Sequence, residues 1–133
     1  MGCRNLIQDL NTIKYSINPY NINRMTMAAG IGVLEDEAYT RANCERIMEN
    51  REWTMPELRK LGFAVLESST NFVFARHPAL DGAQTYLKLR ERGILVRHFN
   101  KNRLDMFNRI TIGSRQEMEA LIAELRVEVE AVK

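Results

Sequence analysis

Two short segments decide the fold: Ile94–Phe99, which reads Ile-Leu-Val-Arg-His-Phe, and Arg109–Ile112, which reads Arg-Ile-Thr-Ile. Both are rich in β-branched and aromatic residues and are predicted to be strands. The polar segment 100–108 between them permits an antiparallel pairing. A register symmetric about position 103 places Arg97 opposite Arg109. The alternation of side chains then puts both arginines on one face of the sheet and the apolar residues on the other.

Outward from this pair, the pattern predicts two further strands and two helices. The strands are Phe63–Leu66 and Asn71–Ala75, and a helix over Gly82–Arg92 stops at Gly93. The last helix begins at Ser114. Its apolar stripe consists of Met118, Leu121, Ile122, Leu125 and Val129. This order predicts an α+β fold, with helices packed on one face of a small, mostly antiparallel four-stranded sheet.

The amino-terminal part of the chain, residues 1–62, is predicted to be helical. Apolar residues recur at helical spacing from Leu6 to Ile13 until Asn18-Pro19 interrupts the pattern. The segment Ile22–Leu34 is apolar nearly all round, which predicts a buried helix.

A longer helical pattern covers Glu37–Leu61, and Pro56 lies inside it. Proline donates no N–H and crowds the carbonyl four residues earlier, so a kink or break is predicted near Thr54. The Thr54-x-x-Glu57 spacing is suited to capping a new helix start there. Gly62 is predicted to end the helix.

Length and composition indicate one globular domain over residues 1–133, with the helical segment 1–62 followed by strand-strand-helix-strand-strand-helix over 63–133. The 133 residues are 45% apolar and 27% charged. The net charge of +2 is too small to indicate a nucleic-acid partner. No apolar stretch is long enough to predict a membrane partner, and no signal-peptide pattern is seen, so a cytoplasmic location is expected. The cysteines and histidines match no metal-ligand spacing, and no metal site is expected.

The arginine pair is the strongest candidate for a functional site. Arginine outnumbers lysine by 14 to 5, and its planar fork suits carboxylate and phosphate. Like charges directly opposite on a sheet repel, and an anion bound by Arg97 and Arg109 would reverse that effect. The alternative is that both side chains point to water or to acidic neighbours. Ser114 and Glu117 are predicted to form a capping box rather than a phosphate site. No nucleophile with an adjacent base is apparent, so no catalytic residue is assigned.

Several blocks of the chain, taken in order, resemble histidinol-phosphate aminotransferase, a family of fold-type I pyridoxal-phosphate enzymes. The blocks are Lys14-Tyr15-Ser16, Asn18-Pro19-Tyr20-Asn21, Arg51-Glu52, Leu61-Gly62-Phe63, Asn71-Phe72-Val73, Arg92–Phe99 and Arg109–Gly113. The resemblance runs over nearly the whole chain but covers only the carboxyl-terminal third of such an enzyme, its small domain.

The resemblance implies that Arg109 grips the carboxylate of the amino donor or the phosphate of histidinol phosphate, with Arg97 as the second arginine at that phosphate. It implies pyridoxal 5'-phosphate as the cofactor of the full-length enzyme. The Schiff-base lysine and other cofactor contacts belong to the large domain, so no cofactor-binding or catalytic residue is expected in this chain, and no cofactor is expected bound to it alone. Implied partners are a phosphorylated or dicarboxylic small-molecule substrate, the large domain of the same enzyme and, at full length, a second copy in a homodimer.

Two other interpretations stay open at this stage. The chain also suits the small domain of a related pyridoxal-phosphate enzyme, such as threonine-phosphate decarboxylase or an aromatic aminotransferase. It is also compatible with a free-standing binding module without catalysis.

Overall fold

The structure is a computed structural model that describes residues 3–17 and 20–132. Along these residues the elements are α1 (Arg4–Ile17), α2 (Arg24–Glu35), α3 (Glu37–Lys60), β1 (Ala64–Val65), β2 (Phe72–Arg76), α4 (Gly82–Glu91), β3 (Arg97–His98), β4 (Asn108–Thr111) and α5 (Arg115–Glu130). The predicted order of elements is confirmed. The predicted interruption at Asn18-Pro19 lies outside the described residues.

The chain divides into two compact units, Met1–Thr40 and Arg41–Lys133. In the first unit, the Asn23 side chain caps α2 by accepting from the Thr26 N–H at 2.9 Å. The helix predicted over Ile22–Leu34 is present, but its predicted burial is wrong, since no residue of α1 or α2 is buried. Leu34, for example, is 83% exposed. Two short helices bury too little surface to form a core of their own.

The second unit is built around a four-stranded antiparallel sheet in the order β1-β2-β4-β3. One face of this sheet is buried against helices, as predicted. Its side chains include Val73 and Ala75 of β2 and Ile110 of β4, all nearly inaccessible. The predicted stripe of α5 is buried throughout, and the carboxyl-terminal part of α3 adds Met55 and Leu58 to the same core. The α+β architecture with helices on one face of the sheet is therefore confirmed.

The α3 helix continues through Pro56, so the predicted break near Thr54 is wrong. The Thr54 hydroxyl does not cap a new start but donates to the Asn50 carbonyl within the helix at 2.7 Å. Two contacts join this region to residues outside the helix. Asn50 Nδ2 donates to the Gly113 carbonyl at 2.9 Å, and the Arg115 guanidinium lies 3.7 Å from the centre of the Trp53 ring.

Glycine is required at two helix ends, Gly62 after α3 and Gly82 at the start of α4. Gly62 follows α3 with φ of +92°, the left-handed conformation predicted for a helix stop. Gly82, the first residue of α4, has the backbone of Asp105 and Met106 where a side chain would be: a Cβ would lie 2.4 Å from the Asp105 carbonyl oxygen. The loop before β4 can therefore fold against α4. Asn108 secures this approach, because its Nδ2 donates to the Gly82 carbonyl at 2.9 Å.

Candidate functional site

Arg97 on β3 and Arg109 on β4 are directly opposite each other in the antiparallel register, as predicted. They share the face of the sheet that is turned away from the helices, because His98 and Asn108, the next pair in the register, lie on the buried side. Arg97 is exposed and Arg109 is half-buried. The strand itself is shorter than the predicted Ile94–Phe99. The Ile94 N–H donates to the Leu89 carbonyl of α4 at 2.9 Å and so is not used in the sheet.

Phenylalanine rings lie beneath both guanidinium groups. The Arg109 guanidinium carbon is 5.2 Å from the centre of the Phe72 ring and 5.9 Å from that of Phe99. The Arg97 guanidinium carbon is 5.3 Å from the same Phe99 ring. A cation over a ring face within about 6 Å is attracted by the ring quadrupole. The two arginines are thus linked through one shared ring.

The rings continue as a cluster across the strands. Phe74, the partner of Arg109 in the register, meets Phe99 edge-on at 6.2 Å and stacks on Phe107 at 4.7 Å. A third arginine, Arg76, lies 5.5 Å above the Phe107 ring. This face is therefore an aromatic platform that carries three guanidinium groups.

The guanidinium groups on this platform have no carboxylate partner among the residues that the structure describes. Across residues 3–17 and 20–132, the ion pairs do not include Arg76, Arg97 or Arg109. The Nε of Arg109 is buried and has no hydrogen-bond acceptor among the described residues. Buried donors are normally satisfied, and a buried unsatisfied donor costs about 1–3 kcal/mol. An anion bound here would satisfy this donor and offset the repulsion between Arg97 and Arg109.

A groove of about 500 Å³ adjoins Arg109. Its walls include Phe72, Phe99 and the hydroxyl-rich segment 68–70. That segment is held in place by Arg51 of α3, whose Nη1 donates to the Thr70 carbonyl at 2.8 Å. The acidic side chain that lines this groove, Glu67, is ion-paired with Arg59.

The amino terminus of α5 is a capping box, as predicted, and not an anion site. The Ser114 N–H donates to Glu117 Oε2 at 2.7 Å, and the Glu117 N–H donates to Ser114 Oγ at 3.3 Å. Hydrogen bonds from the Ser114 side chain and then its backbone lower the pKa of the Glu117 carboxyl from its ordinary value of 4.5. The carboxylate of Glu117 thus already occupies the position at the start of α5 where an anion would bind.

Sequence reasoning brought together Arg97 and Arg109 but missed the platform beneath them. Phe72 and Phe99 belong to quoted sequence blocks without a role, and Phe74, Phe107 and Arg76 have no assignment from the sequence. The signal was present in the period-two alternation, because Phe99 lies two residues from Arg97, and Phe107 two residues from Arg109, on the same face. Placing Phe74 opposite Arg109 requires knowledge of the β2–β4 register, and the symmetry about position 103 concerns only β3 and β4.

The lysines of the second unit that the structure describes do not fit the role of the Schiff-base lysine that pyridoxal phosphate requires. Lys60 is ion-paired with Glu57 and Lys88 with the buried Glu128, while Lys101 is exposed on a loop. In the described part of the chain, no three His, Cys, Asp or Glu side chains are grouped as metal ligands. No helix there combines the length and apolar character needed to cross a membrane.

Known proteins resemble this chain along most of its length. A curated histidinol-phosphate aminotransferase from Chromohalobacter salexigens is 47% identical over 125 residues, which is 94% of this chain and 36% of that protein. Histidinol-phosphate aminotransferase 1 from Bordetella parapertussis is 47% identical over 126 residues, or 95% of this chain and 35% of the relative. The chain thus spans about a third of the length of the curated relatives it matches.

Solved structures agree with these matches. The crystal structure of histidinol-phosphate aminotransferase from Clostridium acetobutylicum is 29% identical to this chain, with a TM-score of 0.73. The match covers 90% of this chain and 37% of the chain in that structure. The enzyme from Sinorhizobium meliloti in complex with pyridoxal-5'-phosphate is 25% identical with a TM-score of 0.73, covering 92% of this chain and 34% of its own. A family model described as "Aminotransferase class I and II" matches residues 7–125. The chain therefore belongs to the class I and II aminotransferase family.

Proposed function

We propose that residues 1–133 act as the carboxyl-terminal small domain of a pyridoxal-phosphate-dependent transaminase in histidine biosynthesis, a histidinol-phosphate aminotransferase. The observation that carries the proposal is the pairing of Arg97 with Arg109 on one face, without carboxylate partners among the described residues. The names of the curated relatives support the specific enzyme. The reaction would move an amino group between glutamate and imidazole-acetol phosphate.

In this proposal, the chain binds and orients the substrate anion. Two guanidinium forks provide charge-assisted and potentially bidentate hydrogen bonds to a phosphate or carboxylate. One pair of arginines serves both substrates, since one carries a phosphate and the other two carboxylates. The buried Nε of Arg109 offers a donor that nothing described in the chain satisfies. The groove beside Arg109 leaves room for the rest of the substrate.

The remaining parts of such an enzyme would supply what this chain lacks. The cofactor carries the bond-breaking chemistry of this enzyme class, and the protein supplies binding, orientation and charge. We place the cofactor lysine in the large domain, so that this chain alone is inactive. The exposed apolar side chains of α1 and α2 support contact with that large domain or with a second copy in a cytoplasmic homodimer.

The proposal is tested in a chimera that joins this chain to the large domain of the Chromohalobacter salexigens relative. Arg97→Ala and Arg109→Ala are each expected to raise the KM for the phosphorylated substrate by about tenfold or more, because a charged hydrogen bond contributes about 1.5–3 kcal/mol. Arg126→Ala is the matched control, since Arg126 is an exposed arginine of α5.

Unchanged KM values in both arginine variants would exclude the proposed role of the pair. A panel of imidazole-acetol phosphate, threonine phosphate and aromatic keto acids, assayed on the same chimera, separates the proposed substrate from those of related enzymes. An absorbance titration of this chain alone with pyridoxal phosphate is expected to show no aldimine band. Such a band would overturn the claim of inactivity.

A further inference from the structure

We propose that Phe99 is a positioning residue: its ring holds the guanidinium groups of Arg97 and Arg109 together so that both point at one anion. This inference rests on the proposed function, because it requires that the pair binds an anion. It adds a residue that neither the arginine motif nor the family match assigns.

The geometry puts Phe99 between the two cations. Its ring centre is 5.3 Å from the Arg97 guanidinium carbon and 5.9 Å from that of Arg109. Phe72 also contacts Arg109, at 5.2 Å. Among the described aromatic rings, however, Phe99 is the one that contacts both arginines.

Electrostatics explain why such a ring is needed. Arg97 and Arg109 are directly opposite in the register and carry like charges, which repel on adjacent strands. No carboxylate in the described part of the chain forms an ion pair with either arginine. The negative face of an aromatic ring attracts a cation without neutralising it. Phe99 therefore holds the pair together while leaving its positive charge available to the ligand.

The ring is itself fixed. Phe74 meets it edge-on at 6.2 Å with an angle of 68° between the rings, and Phe107 stacks on Phe74. Phe99 lies two residues after Arg97 in the sequence, and Phe74 is paired with Arg109 on the neighbouring strand. Each arginine is therefore next to one ring of this cluster. A fixed ring reduces the freedom that two long side chains lose when they bind a ligand.

The test uses the full 133-residue chain and inorganic phosphate, with binding measured by calorimetric titration at low salt. Phe99→Leu removes the ring and keeps an apolar side chain, and it is expected to weaken phosphate binding about five- to tenfold, the range for loss of two ring–cation contacts. Phe99→Tyr keeps the ring face and is expected to bind within about twofold of the wild type. Tyr86→Leu is the control, because its ring packs on His98 from the opposite face of the sheet.

Replacement of Phe99 by pentafluorophenylalanine keeps the shape of the ring but reverses its quadrupole, so it separates charge positioning from packing. It is expected to weaken phosphate binding at least as much as Phe99→Leu, and to lower the urea midpoint less than Phe99→Leu does because the packing of the ring is kept. The NMR signal of the Arg109 Nε–H provides a second readout: in the wild type it shifts on addition of phosphate, and in the fluorinated protein this shift requires a higher phosphate concentration.

The outcomes distinguish the two proposals. If phosphate binds and Arg109→Ala abolishes binding, but the fluorinated protein and Phe99→Leu bind like the wild type, then the role of Phe99 is refuted and the arginine pair stands. Weak binding by Phe99→Tyr would also overturn positioning by the ring face. If wild type and Arg109→Ala bind phosphate equally, the proposed anion site fails, and the inference about Phe99 fails with it.

Discussion

The Arg109 guanidinium is expected to reduce the stability of the chain when no anion is bound. Arg109→Met tests this directly, since methionine keeps a long flexible side chain over the phenylalanine rings but removes the charge and the N–H donors. The variant is expected to be more stable than the wild type in phosphate-free buffer and to gain nothing specific from added phosphate.

The expected gain follows from three local effects of Arg109. Its buried Nε lacks a hydrogen-bond partner among the described residues, which costs about 1–3 kcal/mol. Repulsion from Arg97 adds about 0.2–1 kcal/mol. Against these, each ring contact, with Phe72 and with Phe99, stabilises by about 0.5–1 kcal/mol at a partly exposed site. The midpoints leave a net gain of about 1 kcal/mol for methionine.

Urea unfolding followed by the fluorescence of Trp53, the only tryptophan in the chain, measures this gain. Trp53 is partly buried and packs against Arg115, so its emission reports on the unit that contains the sheet. A gain of about 1 kcal/mol raises the urea midpoint by about 0.5 M for a domain of this size. Arg126→Met is the control for the general effect of removing a positive charge, and also for the non-specific stabilisation of proteins by phosphate.

A loss of stability in Arg109→Met would refute the reasoning. It would mean that the ring contacts outweigh the unsatisfied donor and the repulsion together, so that the arginine belongs to the packing of the sheet. An equal stabilisation of wild type, Arg109→Met and Arg126→Met by phosphate would show that no specific anion site exists. A phosphate effect present in the wild type and in Arg126→Met, and absent in Arg109→Met, supports a specific anion site at Arg109.

Three further predictions concern the ends of helices. Ser114→Ala removes the cap of α5 and is expected to lower the free energy of unfolding by about 1 kcal/mol, measured by urea unfolding. Because the pKa of Glu117 is lowered in the folded state, its carboxylate stabilises the fold above pH 4.5, and this effect is lost as the pH falls through the lowered pKa. The stability advantage of wild type over Glu117→Gln should therefore shrink in thermal melts on acidification, and a constant difference would contradict the assignment. Gly62→Ala is expected to destabilise by about 1–2 kcal/mol, since φ is +92° and a Cβ would lie 2.9 Å from His77 Nε2; an unchanged urea midpoint would contradict this.

The features that followed from sequence are those set by local periodicity. The alternation around Arg97 and Arg109, with a symmetric loop, was sufficient to predict their register, because a slip by one residue would have turned the apolar side chains to solvent. The stops at Gly62 and Gly93 followed from the left-handed conformation that glycine adopts easily, and both have positive φ. The capping box at Ser114 needed only a spacing of three residues.

The features that were missed depend on partners distant in the chain. Periodicity shows that α2 is apolar but not whether anything covers it, and its side chains are exposed. The contacts that α3 makes near Pro56 are with Gly113 and Arg115, which lie far along the sequence from the proline. The rings below the arginines required the position of β2 next to β4, which no local pattern provides.

One face of the sheet packs against helices and the other carries the arginines, and this difference explains the sequence of β4. Asn108 and Ile110 point to the helices and are buried, while Arg109 between them points to the aromatic platform. Burial on one face stabilises the strand enough for the other face to hold an unpaired charge. Functional sites in proteins commonly contain residues that lower the stability of the fold, such as an unpaired charge. An anion site on this face therefore predicts that replacing Arg109 both stabilises the strand and removes binding, and the two effects must appear together at that position.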